Sequence, residues 1–155
     1  ARASANMVFS SVQGGMMGAL GIGLPDVPIF LAAVFKTLFE ISLSFGYPYD
    51  TKQEQTYQML LICAAVGEAA ERKQAAVDAN IVAQQIRMGT GICSVSFEQA
   101  KQRASKALCS AALMGKMVQG APIIGVYGGF RNGVLLKQIG TVAAVKYQQR
   151  MLRER

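Results

Sequence analysis

Apolar positions recur at helical spacing through most of this chain, and the first stretch, Met7 to Phe35, is almost wholly apolar and small, broken by Ser10, Ser11, Gln13 and Asp26. Pro25 and Pro28 interrupt it, and Asp26 is placed to cap the helix beyond them, so a helical hairpin is expected rather than one straight span. From Pro28 this helix runs to about Phe45, where Gly46-Tyr47-Pro48 stops it. Leu31, Val34, Phe35, Leu38, Ile41 and Phe45 form its apolar stripe, Ala33, Lys36, Thr37, Glu40 and Ser44 a narrow polar one, and it is expected to be the central helix. Asp50 is placed to cap a third helix, in which Tyr57, Leu60, Leu61 and Ala64 share a face up to Gly67.

The stretch from about Glu68 to Arg87 is more polar, with Val77 and Ile81 its main apolar positions, and reads as the most exposed helix. Gly89 and Gly91 mark a loop, and Ser96 with Gln99 makes a capping box for a helix to about Gln119. Gly120 to Pro122 ends it, and a second glycine-rich segment continues to Gly133. Gly14 and Gly18 share one helix face, and Gly125, Gly129 and Gly133 lie four apart. Faces of this kind let helix backbones approach closely. A last helix, about Val134 to Arg153, turns Leu135, Ile139 and Val142 inward. Only Gly91 to Val95 offers a competing strand pattern. The fold class is therefore all-α, a compact multi-helix bundle with two glycine-rich close-packed segments, and 155 residues suit a single domain over 1–155. The chain opens at Ala1 rather than Met, so residues upstream are expected to be missing. A signal peptide beginning at Arg2 is set aside because the segment is retained.

Composition sharpens this picture. Hydrophobic residues make up 52% and charged residues 16%, which supplies a large core. The net charge of +7 is concentrated: residues 101–155 hold ten bases against Glu154 alone, while each earlier third is close to neutral. Such asymmetry suggests an anionic partner: phospholipid headgroups, nucleic acid or an acidic protein face. The three cysteines, Cys63, Cys93 and Cys109, form no Cys-x-x-Cys pair, which fits a reducing, cytoplasmic compartment. The chain has no histidine, which excludes Ser-His-Asp and Cys-His catalysis and histidine-ligated zinc or haem; no metal and no cofactor are expected.

Gly125 to Gly129 lacks both the Gly-x-Gly-x-x-Gly order and a preceding strand, and no Gly-Lys-Ser/Thr comes after either glycine run, which disfavours a phosphate-cradling loop. Lys36 and Glu40 stand one turn apart and, with Asp26, are candidates to converge on a polar pocket; the simpler reading is an (i, i+4) pair and a helix cap. Asp26 and Glu40 as a hydrolytic carboxylate pair, with Lys36 beside them, form the best enzyme hypothesis. Arg131 and Asn132 interrupt an apolar helix and, if buried, need partners such as Glu40 or Asp26. The run Lys146 to Arg155 mixes Lys146, Arg150, Arg153 and Arg155 with Tyr147, Met151 and Leu152, as an interfacial amphipathic helix does. Nucleic-acid binding is disfavoured, because aromatics are sparse and no helix-turn-helix signature is present.

Two groups of residues together resemble the EcsC family, named for a bacterial protein encoded beside an ABC transporter. The first is Gly23-Leu24-Pro25-Asp26-Val27-Pro28 with Lys36, Glu40 and Phe45-Gly46-Tyr47. The second is Ala121-Pro122-Ile123-Ile124-Gly125 with Gly128, Gly129, Asn132, Gly140, Ala144, Tyr147 and Arg150. The family usually has arginine where this chain has Lys36. The resemblance implies a bacterial helical protein of membrane or transporter biology, and it draws Asn132, Tyr147 and Arg150 into one polar set with Asp26, Lys36 and Glu40. The expectation is a non-enzymatic accessory protein that meets the inner membrane face, or a membrane transport complex, through the apolar hairpin and a basic surface of Lys146, Arg153 and Arg155. Hydrolysis at Asp26 and Glu40, and binding of nucleic acid or another anionic ligand through the basic C-terminal third, are the alternatives.

Overall fold

The computed structural model describes the backbone of residues 26–117 and 126–154, and the side chains of 27–112 and 133–154. Among the described residues there are five helices and no strand, so the all-α expectation holds and Gly91 to Val95 forms none. Helix α1 spans Asp26–Ser44, α2 Lys52–Val66, α3 Ala69–Met88, α4 Phe97–Met117 and α5 Val126–Glu154. The first arm of the expected hairpin, with Gly14 and Gly18, and the Gly120 to Pro122 break lie outside the described residues.

Helix α1 starts at Asp26 and buries Phe30, Leu31, Val34, Phe35 and Leu38 along one stripe. It ends where Gly46 turns into the left-handed region at φ 81°, which lets the Tyr47 N–H donate back to the Ser42 carbonyl at 3.0 Å. The buried Ser42 hydroxyl clamps the same turn by donating to the carbonyls of Tyr47 and Pro48, at 3.0 and 3.1 Å.

The cap of α2 is Thr51 rather than Asp50: the Thr51 hydroxyl accepts the Glu54 N–H at 3.2 Å, and Asp50 lies exposed one residue too early. This helix, and not α1, is the centre of the molecule. Every residue from Glu54 to Cys63 is buried, because α2 packs against α3, α4 and α5, whereas α1 rests chiefly on α5. A helix enclosed on all sides loses its amphipathic stripe, which is why its pattern did not mark it as central. It stops at Gly67, where a Cβ would lie 2.6 Å from the Cys63 carbonyl oxygen.

The small-residue faces of α3 and α4 carry the contacts with α2. On α3 the inward positions are Ala75, Ala79 and Val82, while Val77 and Ile81 face outward. The helix therefore packs through its alanines, not through the larger residues that the pattern favoured. On α4, Ala100, Ala104, Ala107, Leu108 and Ala111 face inward, and the Ser96/Gln99 capping box forms as expected. Arg103 ties the two helices, donating to Glu71 at 2.8 Å and to Asp78 at 2.7 Å.

The last helix starts earlier than the pattern predicts, at Val126, so residues 126–133 of the second glycine-rich segment and the basic terminus belong to one continuous helix. Leu135, Ile139, Ala143 and Tyr147 lie on its buried face, with Val142 half-buried beside them. At Gly133 a Cβ meets nothing within 4 Å among the described residues. Gly140 faces α1 at van der Waals contact, its Cβ position lying 3.4 Å from the Thr37 methyl carbon.

Candidate functional site

The first turn of α2 and the last turns of α5 bring acids and a base together. Glu54, Tyr57 and Gln58 stand at helical spacing on α2, and Tyr147, Arg150 and Glu154 do so on the facing side of α5. Arg150 donates from one guanidinium nitrogen to both Glu54 carboxylate oxygens, at 3.0 and 2.9 Å. Its Nε donates to Glu154 Oε1 at 3.1 Å. The Tyr147 hydroxyl donates to Glu54 Oε1 at 2.6 Å and accepts from the Gln58 amide at 3.4 Å. Tyr47, carried in by the turn after α1, donates to Glu154 Oε2 at 2.6 Å, and its ring lies 4.0 Å beneath the guanidinium carbon of Arg150. Tyr57 and Tyr147 meet edge to face at 5.3 Å.

The side chains of Glu54 and Arg150 are only 1% and 6% exposed, so the pair exists in a medium where neither charge survives alone. Burial pushes the Glu54 carboxyl above its ordinary range, against the charge of Arg150 and the hydrogen bonds from Tyr147 and Arg150. On Arg150 the attraction and hydrogen bonds of Glu54 and Glu154 overcome burial and raise its pKa further. Burial is also the main reason that the hydroxyls of Tyr57 and Tyr147 are held protonated well above the usual phenol range; that of Tyr47 is pushed up to about 12. Both oxygens of Glu54 and both of Glu154 are taken by these donors, which leaves neither carboxylate presented as a base or nucleophile. The cluster acts as a polar latch that joins α5 to α2 and to the turn after α1.

The expected polar set is therefore divided. Tyr147 and Arg150 lie within the latch. Lys36 and Glu40 do not: they form an (i, i+4) ion pair of 3.7 Å on the outer face of α1, 75% and 66% exposed. Glu40 thus occupies open solvent rather than an enclosed carboxylate pocket. The side chains of Asp26 and Asn132, and Arg155, lie outside the described residues. Tyr147 and Arg150 also leave the expected interfacial face, because α5 turns them toward α2. Glu54, Tyr47 and Glu154 complete the latch; the sequence marked Tyr47 only within the family-like Phe45-Gly46-Tyr47 run and did not single out Glu54 or Glu154 as site residues. The apolar run Met59 to Val66, which marks the helix as a core element, is the signal beside Glu54, since a carboxylate on a core helix requires a buried cation.

Beside the latch, a cleft of about 440 Å³ opens between α3 and α5. Its walls carry Arg87, Lys146, Arg150 and Arg153, with Asn80, Gln84 and Gln149 between them and Glu154, already bonded to Arg150 and Tyr47, at its edge toward the latch. Lys146 is half-buried; its ammonium donates to the Ala76 carbonyl at 3.3 Å and to Asn80 Oδ1 at 3.0 Å, both uncharged. Burial, then the neighbouring Arg153, lower its pKa. Arg87 donates to the Arg153 carbonyl at 3.2 Å, which draws the C-terminal ends of the two helices together. Among the described residues no carboxylate lies within ion-pairing distance of Arg87, Lys146 or Arg153, and no group of three or more acids and cysteines suited to a metal occurs.

No curated protein and no solved structure matches this chain. The sequence pattern of the EcsC protein family matches it over residues 1–152, a span that contains all five helices up to the last turn of α5, with the latch residues Glu54, Tyr147 and Arg150. The chain belongs to the EcsC protein family.

Proposed function

We propose that this protein is a non-enzymatic accessory protein that docks peripherally on an anionic membrane surface, alone or within a membrane transport complex. The observation that carries this reading is the junction of the C-terminal ends of α3 and α5. There Arg87, Lys146 and Arg153 gather without carboxylate partners among the described residues, and Met88 and Leu152, next in sequence to the two arginines, are 57% and 58% exposed. Exposed apolar side chains interleaved with cations suit the headgroup boundary, where the chain gains from both burial and charge attraction. Two helix C-termini together supply only about one unit of negative charge, so dipole compensation leaves most of this positive charge unbalanced.

Helix α1 adds support. Val27–Ser44 is long and apolar enough to cross a membrane, with a mean hydropathy of 1.6, and 39% of it is buried within the fold. The exposed Lys36–Glu40 pair on its outer face fits contact with a surface better than a full crossing. Flotation with phosphatidylcholine vesicles, with and without phosphatidylglycerol, tests the proposal. Binding at low salt that depends on phosphatidylglycerol is the expected outcome. Equal recovery in the unbound fraction with both vesicle types refutes it.

A further inference from the structure

We propose that the cleft between α3 and α5 is a binding site for a single phosphate group, a phosphomonoester or the phosphodiester of a lipid headgroup. The inference rests on the membrane reading above for the lipid source of the phosphate, and on the cleft alone for the chemistry.

Three features select phosphate. The first is charge: Arg87, Lys146, Arg150 and Arg153 line the cleft with Glu154 as the one carboxylate described in its lining, and Glu54 lies behind Arg150, so four bases meet two acids and a net of about two positive charges remains. A carboxylate or a phosphodiester offers one compensating charge; a phosphomonoester offers close to two, with three acceptor oxygens, and is the better match in charge. The second is donor geometry. Arginine forks pair with phosphate oxygens in two parallel bonds, and Lys146 is held in position by two neutral acceptors, so its ammonium keeps both its charge and one further N–H for a ligand. Asn80, Gln84 and Gln149 add amide donors around the same space. The third is size: at about 440 Å³ the cleft accepts a glycerophosphate group, and it falls within the range typical of small-molecule sites.

The cleft is also pre-organised. Arg87 is anchored on the Arg153 carbonyl, Lys146 on Ala76 and Asn80, and the wall formed by α5 is fixed from behind by the buried Arg150–Glu54 pair, so these groups need less ordering on binding. Placing three cations side by side costs folding free energy through mutual repulsion, and an anion in their midst relieves it.

The test measures thermal melting and calorimetric titration of the 155-residue chain with sn-glycerol 3-phosphate, with glycerol as the neutral control, alongside vesicle flotation. The Arg87→Ala/Arg153→Ala double variant is the cleft probe; it leaves the latch bonds intact, and its ligand-induced shift is read against its own ligand-free melting temperature. The expected result is a melting shift with glycerol phosphate and none with glycerol, and at least about a tenfold loss of affinity in the double variant, equivalent to 1.4 kcal/mol. Loss of vesicle binding in the same variant identifies a lipid headgroup as the source. Glycerol phosphate binding without vesicle binding supports the cleft and overturns the membrane reading. Vesicle binding that the double variant retains, with no response to glycerol phosphate, overturns the cleft and leaves the membrane reading standing. No response to either probe overturns both.

Discussion

Replacing Arg150 with methionine removes the only cation bonded to Glu54 among the described residues, while keeping a side chain of similar reach. Glu54 is 1% exposed and loses two of its three hydrogen bonds, those of 2.9 and 3.0 Å, retaining only the Tyr147 hydroxyl. Breaking a buried ion pair from one side costs about 3–5 kcal/mol, because the remaining charge is left uncompensated in the interior. For a chain of this size each kcal/mol moves the melting temperature by about 2–4 °C, so Arg150→Met is expected to melt roughly 6–20 °C lower. Glu54→Leu combined with Arg150→Met removes both charges and is expected to recover most of that loss, since an apolar pair of similar volume avoids the desolvation cost. Urea titration monitored by far-ultraviolet circular dichroism, arranged as a double-mutant cycle, yields the coupling directly. A single variant that loses less than about 1 kcal/mol, or a double variant no more stable than the single one, refutes the description of Glu54–Arg150 as a buried, mutually dependent pair.

The same packing sets two further outcomes. Tyr47, Tyr57 and Tyr147 carry raised phenol pKa values, with that of Tyr47 at about 12, so above pH 10 the unfolded chain releases protons that the folded chain holds. Stability is therefore expected to fall as pH rises from about 10 through 12, with tyrosinate absorbance from these residues appearing together with loss of helix; ionisation of all five tyrosines at an ordinary midpoint in a folded protein contradicts this. Gly140→Leu places a side chain where Thr37 already lies 3.4 Å from the Cβ position, and is expected to cost about 1–3 kcal/mol in denaturant titration. The same substitution at Gly133, beside which no described atom lies within 4 Å, is expected to cost less, and equal losses at both sites remove the case for a closer α1 contact at Gly140.

The helices were legible because their signals are local. The capping box at Ser96, the left-handed glycines at Gly46 and Gly89, and the i, i+3, i+4 spacing of Leu31, Val34, Phe35 and Leu38 each depend on neighbours within one or two turns. Family membership was legible for a similar reason, since the order of glycines and polar residues along both halves of the chain is itself a linear property. Where local signals compete, the reading slipped by small amounts. Thr51 displaced Asp50 as the cap of α2, and α5 began at Val126 because glycines lower helix propensity without forbidding a helix.

Partnership between distant residues was not legible. Tyr147 and Arg150 emerged as noteworthy from family resemblance, but Glu54 is separated from them by 93 and 96 residues, and no periodicity within α2 or α5 says which side chain each will meet. The same holds for Lys36 and Glu40, whose spacing fits a surface pair as well as a pocket wall until α1 is docked on α5. Sequence alone determined that this chain is helical, apolar enough to form a large core, free of histidine chemistry and basic toward its end. Only the tertiary structure decided which of those charges face inward and cancel, and which remain uncompensated around the cleft. Burial and pairing are properties of helices already brought together, and the free energy of a charge depends on the medium and the partner found there rather than on its position along the chain.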